Sequence, residues 1–382
     1  MIQLGAIAVV LAVSTHRLFD LDRFLVPKEL VLHATAVIAG LFALRAMRKV
    51  PVTRIGGGLL LFLLLSVIAA ALATNVWLAM RAVAVTASAI VLFFAARALR
   101  DAGLARPLLN ALALAVVLAA VTSLVQAYGV RLEIFATSRA PGGTLGNRNF
   151  VAHAMAFGFP VVLLAALRGS LPASIGAALV TATLVLTRSR AAWLAFAAMA
   201  VVILFGMLLA PALRRDKRTW ARIAAMCLFI GGGVAAALLV PNALKWRSDN
   251  PYLESVRDVA NYQEGSGRGR LIQYEQSLRM AAAHPVLGVG PGNWPVDYPA
   301  HAVRNDPSLD TSVGGMTFNP WPSSDWVAFV AERGFVAALL MMLVFAGLAL
   351  SGLKQLRRAL EVDDALLALT LVATVVAAGV VG

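Results

Sequence analysis

With 382 residues the chain has room for two or three water-soluble domains, but 60% hydrophobic and only 14% charged residues, with a mean hydropathy of +0.82, exclude that and place it among polytopic membrane proteins. The net charge of +14 comes from short Lys/Arg clusters set between apolar runs, as in membrane loops, and no basic stripe or base-stacking platform accompanies it, so a nucleic-acid partner is not expected. Cys227, the only cysteine, lies in an apolar run; this leaves no disulfide and no thiolate metal cluster, and predicts a small core residue.

At about twenty apolar residues per crossing, about eleven helices are predicted, over 2–14, 28–46, 57–74, 77–96, 107–127, 150–167, 171–187, 191–212, 223–241, 326–350 and 364–382. The first is short and lacks the basic flank and small-residue cleavage site of a signal peptide. The last stops at Gly382 inside a helix-like pattern, so the chain reads as truncated at its C-terminus. Four basic clusters, Arg48/Lys49/Arg54, Arg97/Arg100/Arg106, Arg214/Arg215/Lys217/Arg218/Arg222 and Lys354/Arg357/Arg358, fall at one end of these helices, which makes that end cytoplasmic. Residues 15–27, 128–149, 188–190 and 242–325 are then extracytoplasmic. The expected organisation is all-α: nine helices in 1–241, one large extracytoplasmic loop in 242–325, and two helices in 326–382, the second incomplete. Gly56-Gly57-Gly58 and Gly231-Gly232-Gly233 are read as sites of close helix packing.

Three polar elements share the extracytoplasmic side: TLGNRN at 144–149, TRSRAAW at 187–193, and a central stretch with Arg268, Arg270 and GVGPGN. Arg188 and Arg190 in so short a link run against the positive-inside tendency; position alone leaves open both snorkelling to head groups and binding of an anion. Arg270 is expected to open a helix over 271–283, with Leu271, Tyr274 and Leu278 on one face and Pro285 ending it. A guanidinium at a helix start opposes the helix dipole unless an anion sits nearby, and a solvated arginine is the competing reading. GVGPGN has no Gly-Lys-Ser/Thr sequence and no strand-to-helix context, so it reads as a structural turn. His153, His284 and His301 show no paired ligand spacing and the acids do not cluster; no metal and no cofactor are expected.

Taken in order, these elements resemble the O-antigen ligase and polymerase superfamily of bacterial membrane proteins. TLGNRN resembles that family's G-T-x-G-N-x-N, TRSRAAW its S-R-G, RLIQY its R-x-x-x-W, HPVLGVGPGN its P-L-L-G-V-G-P-G-N, and WVAFVAERGF its L-x-x-x-x-E-x-G, together covering about residues 140 to 340. The resemblance implies a metal-independent glycosyltransferase of the inner membrane. Its donor would be a glycan on undecaprenyl diphosphate and its acceptor a lipid core or another glycan, with the large loop periplasmic. It also implies that Arg190 and Arg270 hold the donor diphosphate, with Arg188, Arg268, Asn147 and Asn149 as further contacts in the pocket. One departure stands out: where the family has the histidine of H-N-x-x-L, this chain has Ser323, followed by Ser324-Asp325-Trp326. Serine is no unaided general base, so the proton acceptor is assigned to Asp325, with His301 as alternative and a helix N-cap as the competing role of Asp325. A polysaccharide polymerase of the same superfamily is the nearest alternative; a polyprenyl-glycan transporter or a non-catalytic scaffold is the alternative from another class.

Overall fold

The computed structural model describes residues 1–15, 22–46, 53–136, 139–246, 248, 250–257, 265–303, 306, 309–313, 315–318 and 322–382. Among them the helices are α1 (Ile2–Leu11), α2 (Asp22–Ala46), α3 (Arg54–Ala71), α4 (Val76–Asp101), α5 (Ala105–Ala127), α6 (Arg148–Leu167), α7 (Leu171–Thr187), α8 (Arg190–Leu209), α9 (Pro211–Arg215), α10 (Lys217–Leu239), α11 (Pro251–Arg257), α12 (Gly265–Ala283), α13 (Trp294–His301), α14 (Asp325–Arg358) and α15 (Val362–Val381). The described residues are all-helical apart from one small antiparallel hairpin, β1 (Leu309–Val313) and β2 (Gly315–Phe318), in which Leu309 pairs with Phe318 and Asp310 with Thr317. Each of the eleven predicted runs is a helix. Nine of the described helices are long and apolar enough to cross a membrane; α1 and α7 are apolar but shorter.

The chain divides into two units. The first comprises Met1–Met47, Phe94–Val256 and Leu348–Val381. Its centre is α6, buried along most of its length from Val151 to Leu167 and packed by α5, α7 and α15. Between helices in lipid there is no hydrophobic driving force to spare, so close approach rests on small residues. A Cβ on Gly158 would lie 2.2 Å from Val116, one on Gly176 2.6 Å from Val117, and one on Gly206 2.4 Å from Leu369. The glycine run of α10 contributes through Gly233 alone, which abuts Ala178 of α7; Gly231 and Gly232 face open space, correcting the expectation for that run. Cys227 is likewise exposed on α10 rather than a core residue, the lipid-facing place a small apolar side chain can occupy as easily as a core. α10 begins beyond the cap Asp216, which accepts from the Thr219 hydroxyl at 2.5 Å and its N–H at 3.0 Å; the hydroxyl bond above all holds this carboxyl below the usual range.

The second unit comprises Arg48–Phe93, Arg257–Gly347 and Gly382. Here α3 meets α14 where Phe62 stacks on Phe329 at 5.5 Å, and Arg333 donates to Ser66 at 2.8 Å. α12 and α13 pack on one another around Trp294 and Tyr298, both fully buried and stacked at 4.3 Å.

Candidate functional site

In the first unit, the TLGNRN word folds as a tight 3-10 turn, Gly143–Leu145, leading into α6. Gly146 has φ 76 and lies against the Phe24 ring, where a Cβ would be 2.4 Å away, so only glycine serves. The Gln126 side chain accepts from the Gly143 N–H at 2.8 Å, and Lys28 donates to the carbonyls of Thr144 (2.8 Å) and Ala12 (2.6 Å). Asn147 is buried and caps the helix, its Oδ1 accepting from the Asn149 N–H at 2.9 Å; the Asn149 side chain is exposed. Arg148 is therefore the first residue of α6, with no acidic residue in that turn.

The second arginine-bearing word breaks α7 from α8 in two residues. Arg188 has φ 55, Ser189 is the cap position, and Arg190 begins α8, again with no acid in the first turn. Arg188 donates to Ser255 Oγ at 2.8 Å and pairs with Glu254 at 3.1 Å, tying the link to α11. Its guanidinium lies 4.8 Å from the centre of the Trp246 ring, and that of Arg148 lies 5.0 Å from the same ring. Trp246 thus gathers the starts of α6 and α8. Arg148 is the first residue of α6 and Arg188 the C-cap of α7, two residues before α8; with Glu254 offsetting one charge, the two guanidiniums on one indole still leave a net positive charge that favours an anion. Beside it, α7, α8, α10 and α11 line an open apolar cavity of about 680 Å³ that includes Leu184, Trp193, Phe196, Leu238 and Tyr252. Burial, with Tyr252 nearby, raises the Tyr128 phenol above its ordinary range, so it stays neutral.

In the second unit, α12 begins at Gly265, so Arg270 lies within its second turn rather than opening it, and the glycine-rich GSGRG is helical. Arg268 is exposed and Arg270 half-buried. The apolar face is the outward one: Leu271 and Leu278 are exposed, while Gln273, Gln276, Ser277 and Met280 face inward. The reason is hydrogen bonding, since Ser277 accepts from the buried Trp294 indole at 2.9 Å and Gln273 accepts from the Ser323 N–H. Ser323, at the position of the family histidine, therefore sits against the helix that carries Arg270, and its carbonyl lies 3.5 Å from the Tyr274 hydroxyl. Ser324, not Asp325, takes the cap role: its Oγ accepts from the Val327 N–H at 3.4 Å, and the Asp325 carboxylate is left exposed at the start of α14. His301 has Nδ1 3.1 Å from Asp297 O on its own helix, α13.

GVGPGN is a structural turn, as expected, with Gly288, Gly290 and Gly292 all at positive φ. Its partner is a break in α14 at Gly334 (φ 74, ψ 171). There the Val289 N–H donates to Ala331 O at 3.0 Å, Gly290 N–H to Glu332 O at 2.9 Å, and Phe335 N–H to Pro285 O at 2.8 Å. Glu332 then accepts from the Trp294 N–H at 3.1 Å. Asn293, wholly buried, closes the turn by accepting from the Asn75 N–H (2.6 Å) and donating to its carbonyl (3.1 Å).

Of the predicted residues, Arg188, Arg190, Asn147 and Asn149 belong to the first unit and Arg268, Arg270, Asp325 and His301 to the second. Sequence reasoning passed over Arg148 in favour of the flanking asparagines, and over Trp246. The signal for Arg148 was available, because it too is an arginine in a segment assigned to the side where arginines are disfavoured. Among the described residues no group of three His, Cys, Asp or Glu side chains is arranged to hold a metal.

Residues 175–342 match the protein family described as O-antigen ligase, a span that runs from within α7 to within α14 and includes Arg188, Arg190, Arg268, Arg270 and Asp325. No curated protein matches the chain.

Proposed function

We propose that this chain, which belongs over residues 175–342 to the O-antigen ligase superfamily, transfers a glycan from undecaprenyl diphosphate to a lipid-core acceptor at the periplasmic face of the inner membrane. It is a multi-pass membrane enzyme of the O-antigen ligase and polymerase type. The observation that supports the donor assignment is the pair of guanidiniums, Arg148 and Arg188, on the single Trp246 ring beside the acid-free start of α8 at Arg190. A diphosphate is the anion this arrangement suits, because arginine pairs with phosphate oxygens bidentately and keeps its charge when partly desolvated. The neighbouring apolar cavity takes the first isoprene units of the lipid.

In the reaction the acceptor hydroxyl oxygen attacks the anomeric carbon of the donor sugar. The bond from that carbon to the diphosphate oxygen breaks, its electron pair leaves with the diphosphate, and the hydroxyl proton passes to a general base. Within the first unit Arg148, Arg188 and Arg190 offset the charge that develops on the leaving group, so the chemistry proceeds without a metal. Within the second unit, Asp325 is preferred to His301 as a proton acceptor because Ser324 relieves it of the capping role.

The test is a transfer assay in nanodiscs that follows release of undecaprenyl diphosphate from a lipid-linked oligosaccharide, with lipid-core and repeat-unit acceptors offered separately. Release that needs lipid core and drops at least about 100-fold in Arg190→Ala supports the ligase. Release with the repeat unit alone assigns a polymerase instead. Donor binding with no release on any acceptor removes the enzymatic reading.

A further inference from the structure

At the other end of α6, about 30 Å from Arg148 by helix rise, the first unit holds a second cavity, of about 430 Å³. Its two ends differ in chemistry. One is polar, lined by Arg106, Asn110, Arg168 and Ser170; the other is apolar, lined by Leu114, Val117, Val162 and Ala165. At the polar end Arg168 grips Asp363 with Nε at 2.6 Å and Nη2 at 2.9 Å, and Arg106 reaches the same carboxylate at 3.2 Å while its side chain stays 70% exposed. Two guanidiniums around one carboxylate leave a net positive charge. The cavity wall is completed by the N-terminus of α7, where Ser170 caps and Pro172 occupies the first turn, so the helix dipole adds to that charge. Asn110 and Leu114, one helical turn apart on α5, are both exposed on this face, which makes the cavity open to the lipid side. Lys and Arg clusters on the ends of α4, α10 and α14 lie at the same end of the helices.

We infer that this cavity is a site for an anionic phospholipid, with the lipid phosphate on Arg106, Arg168 and Asn110 and the first acyl carbons along Leu114, Val117 and Val162. The polar-to-apolar gradient fits a lipid and not a free anion, for which the apolar half has no use. A zwitterionic lipid brings its own cation to a site that is already cationic, so phosphatidylglycerol is favoured over phosphatidylcholine. This inference is independent of the donor site and of whether the protein is a ligase.

The experiment uses the full chain in detergent, titrated with phosphatidylglycerol, phosphatidylcholine or inorganic phosphate and read by native mass spectrometry and thermal unfolding. Two variants accompany it: Arg106→Gln, which removes an exposed charge, and Leu114→Trp, which fills the apolar half from an exposed position. The expected result is retention of phosphatidylglycerol over phosphatidylcholine and a rise in unfolding temperature with phosphatidylglycerol alone. Its binding should fall about fivefold in Arg106→Gln, with a comparable loss in Leu114→Trp. Equal retention of both lipids, unchanged binding in both variants, or an equal stabilisation by inorganic phosphate would each overturn the inference.

Discussion

Two glycine–asparagine turns among the described residues use their polar groups in opposite ways. In the GVGPGN turn of the second unit, the buried Asn293 side chain joins the backbone of Asn75, and backbone N–H groups of the turn pair with the broken strand of carbonyls in α14. That turn is complete in itself. In the TLGNRN turn of the first unit the asparagine is also structural, capping α6, but the next residue, Arg148, is turned out onto Trp246 opposite Arg188. The glycines and asparagines of both words build backbone; the chemistry is left to the charged residue beside them.

The largest effect is expected where the closed turn is broken. A side chain at Gly288 would meet Glu332 backbone at 2.3 Å on a residue with φ 67, so Gly288→Val should cost more than about 3 kcal/mol and abolish recovery of monodisperse protein in size-exclusion chromatography. Next is the open turn: Arg148→Ala should lower turnover about 100-fold with little change in unfolding temperature, because it removes charge stabilisation and not a packing element. Asn293→Ala should invert that pattern, costing about 1–3 kcal/mol in thermal unfolding while each folded molecule keeps its activity, since it orphans the Asn75 backbone groups. Trp246→Leu should weaken donor binding by about 1–2 kcal/mol, read as a rise in donor KM at nearly constant kcat.

The smallest effect concerns a cap that titrates. Asn147 caps α6 without ionising, whereas Asp216 caps α10 as a carboxylate held below its ordinary range by Thr219. The stabilisation from Asp216 is present above its unfolded value and is lost as pH falls through the lower, folded one. Asp216→Asn should therefore flatten that part of the acid limb of an unfolding-temperature profile, with a loss near neutral pH of no more than about 1 kcal/mol.

The transmembrane helices were legible because twenty-residue apolar runs bounded by arginines admit few other readings; Arg54–Ala71 and Arg190–Leu209 sit within a few residues of their predicted ends. The break in α14 was not legible: Gly334 lies in an otherwise helical pattern, and its conformation depends on Val286, 48 positions earlier, whose carbonyl a Cβ at Gly334 would approach to 2.3 Å. Which face of α12 turns inward was not legible either. Leu271 and Leu278 share a face, as expected, but it is the exposed one, because the buried indole of Trp294 needs an acceptor and Ser277 on the opposite face supplies it. The arginine words were visible as violations of charge bias, while Trp246, a lone aromatic in a polar segment, carries no periodic signal and gains meaning only from the two guanidiniums on it.

The most direct test of the donor site is equilibrium binding of undecaprenyl diphosphate and undecaprenyl monophosphate to the wild-type protein and to Arg148→Ala in nanodiscs. The account predicts tighter binding of the diphosphate by the wild type and a loss of about tenfold in that preference in the variant. Equal affinity for the two lipids, unchanged by the substitution, would contradict the claim that the arginines on Trp246 hold the donor diphosphate.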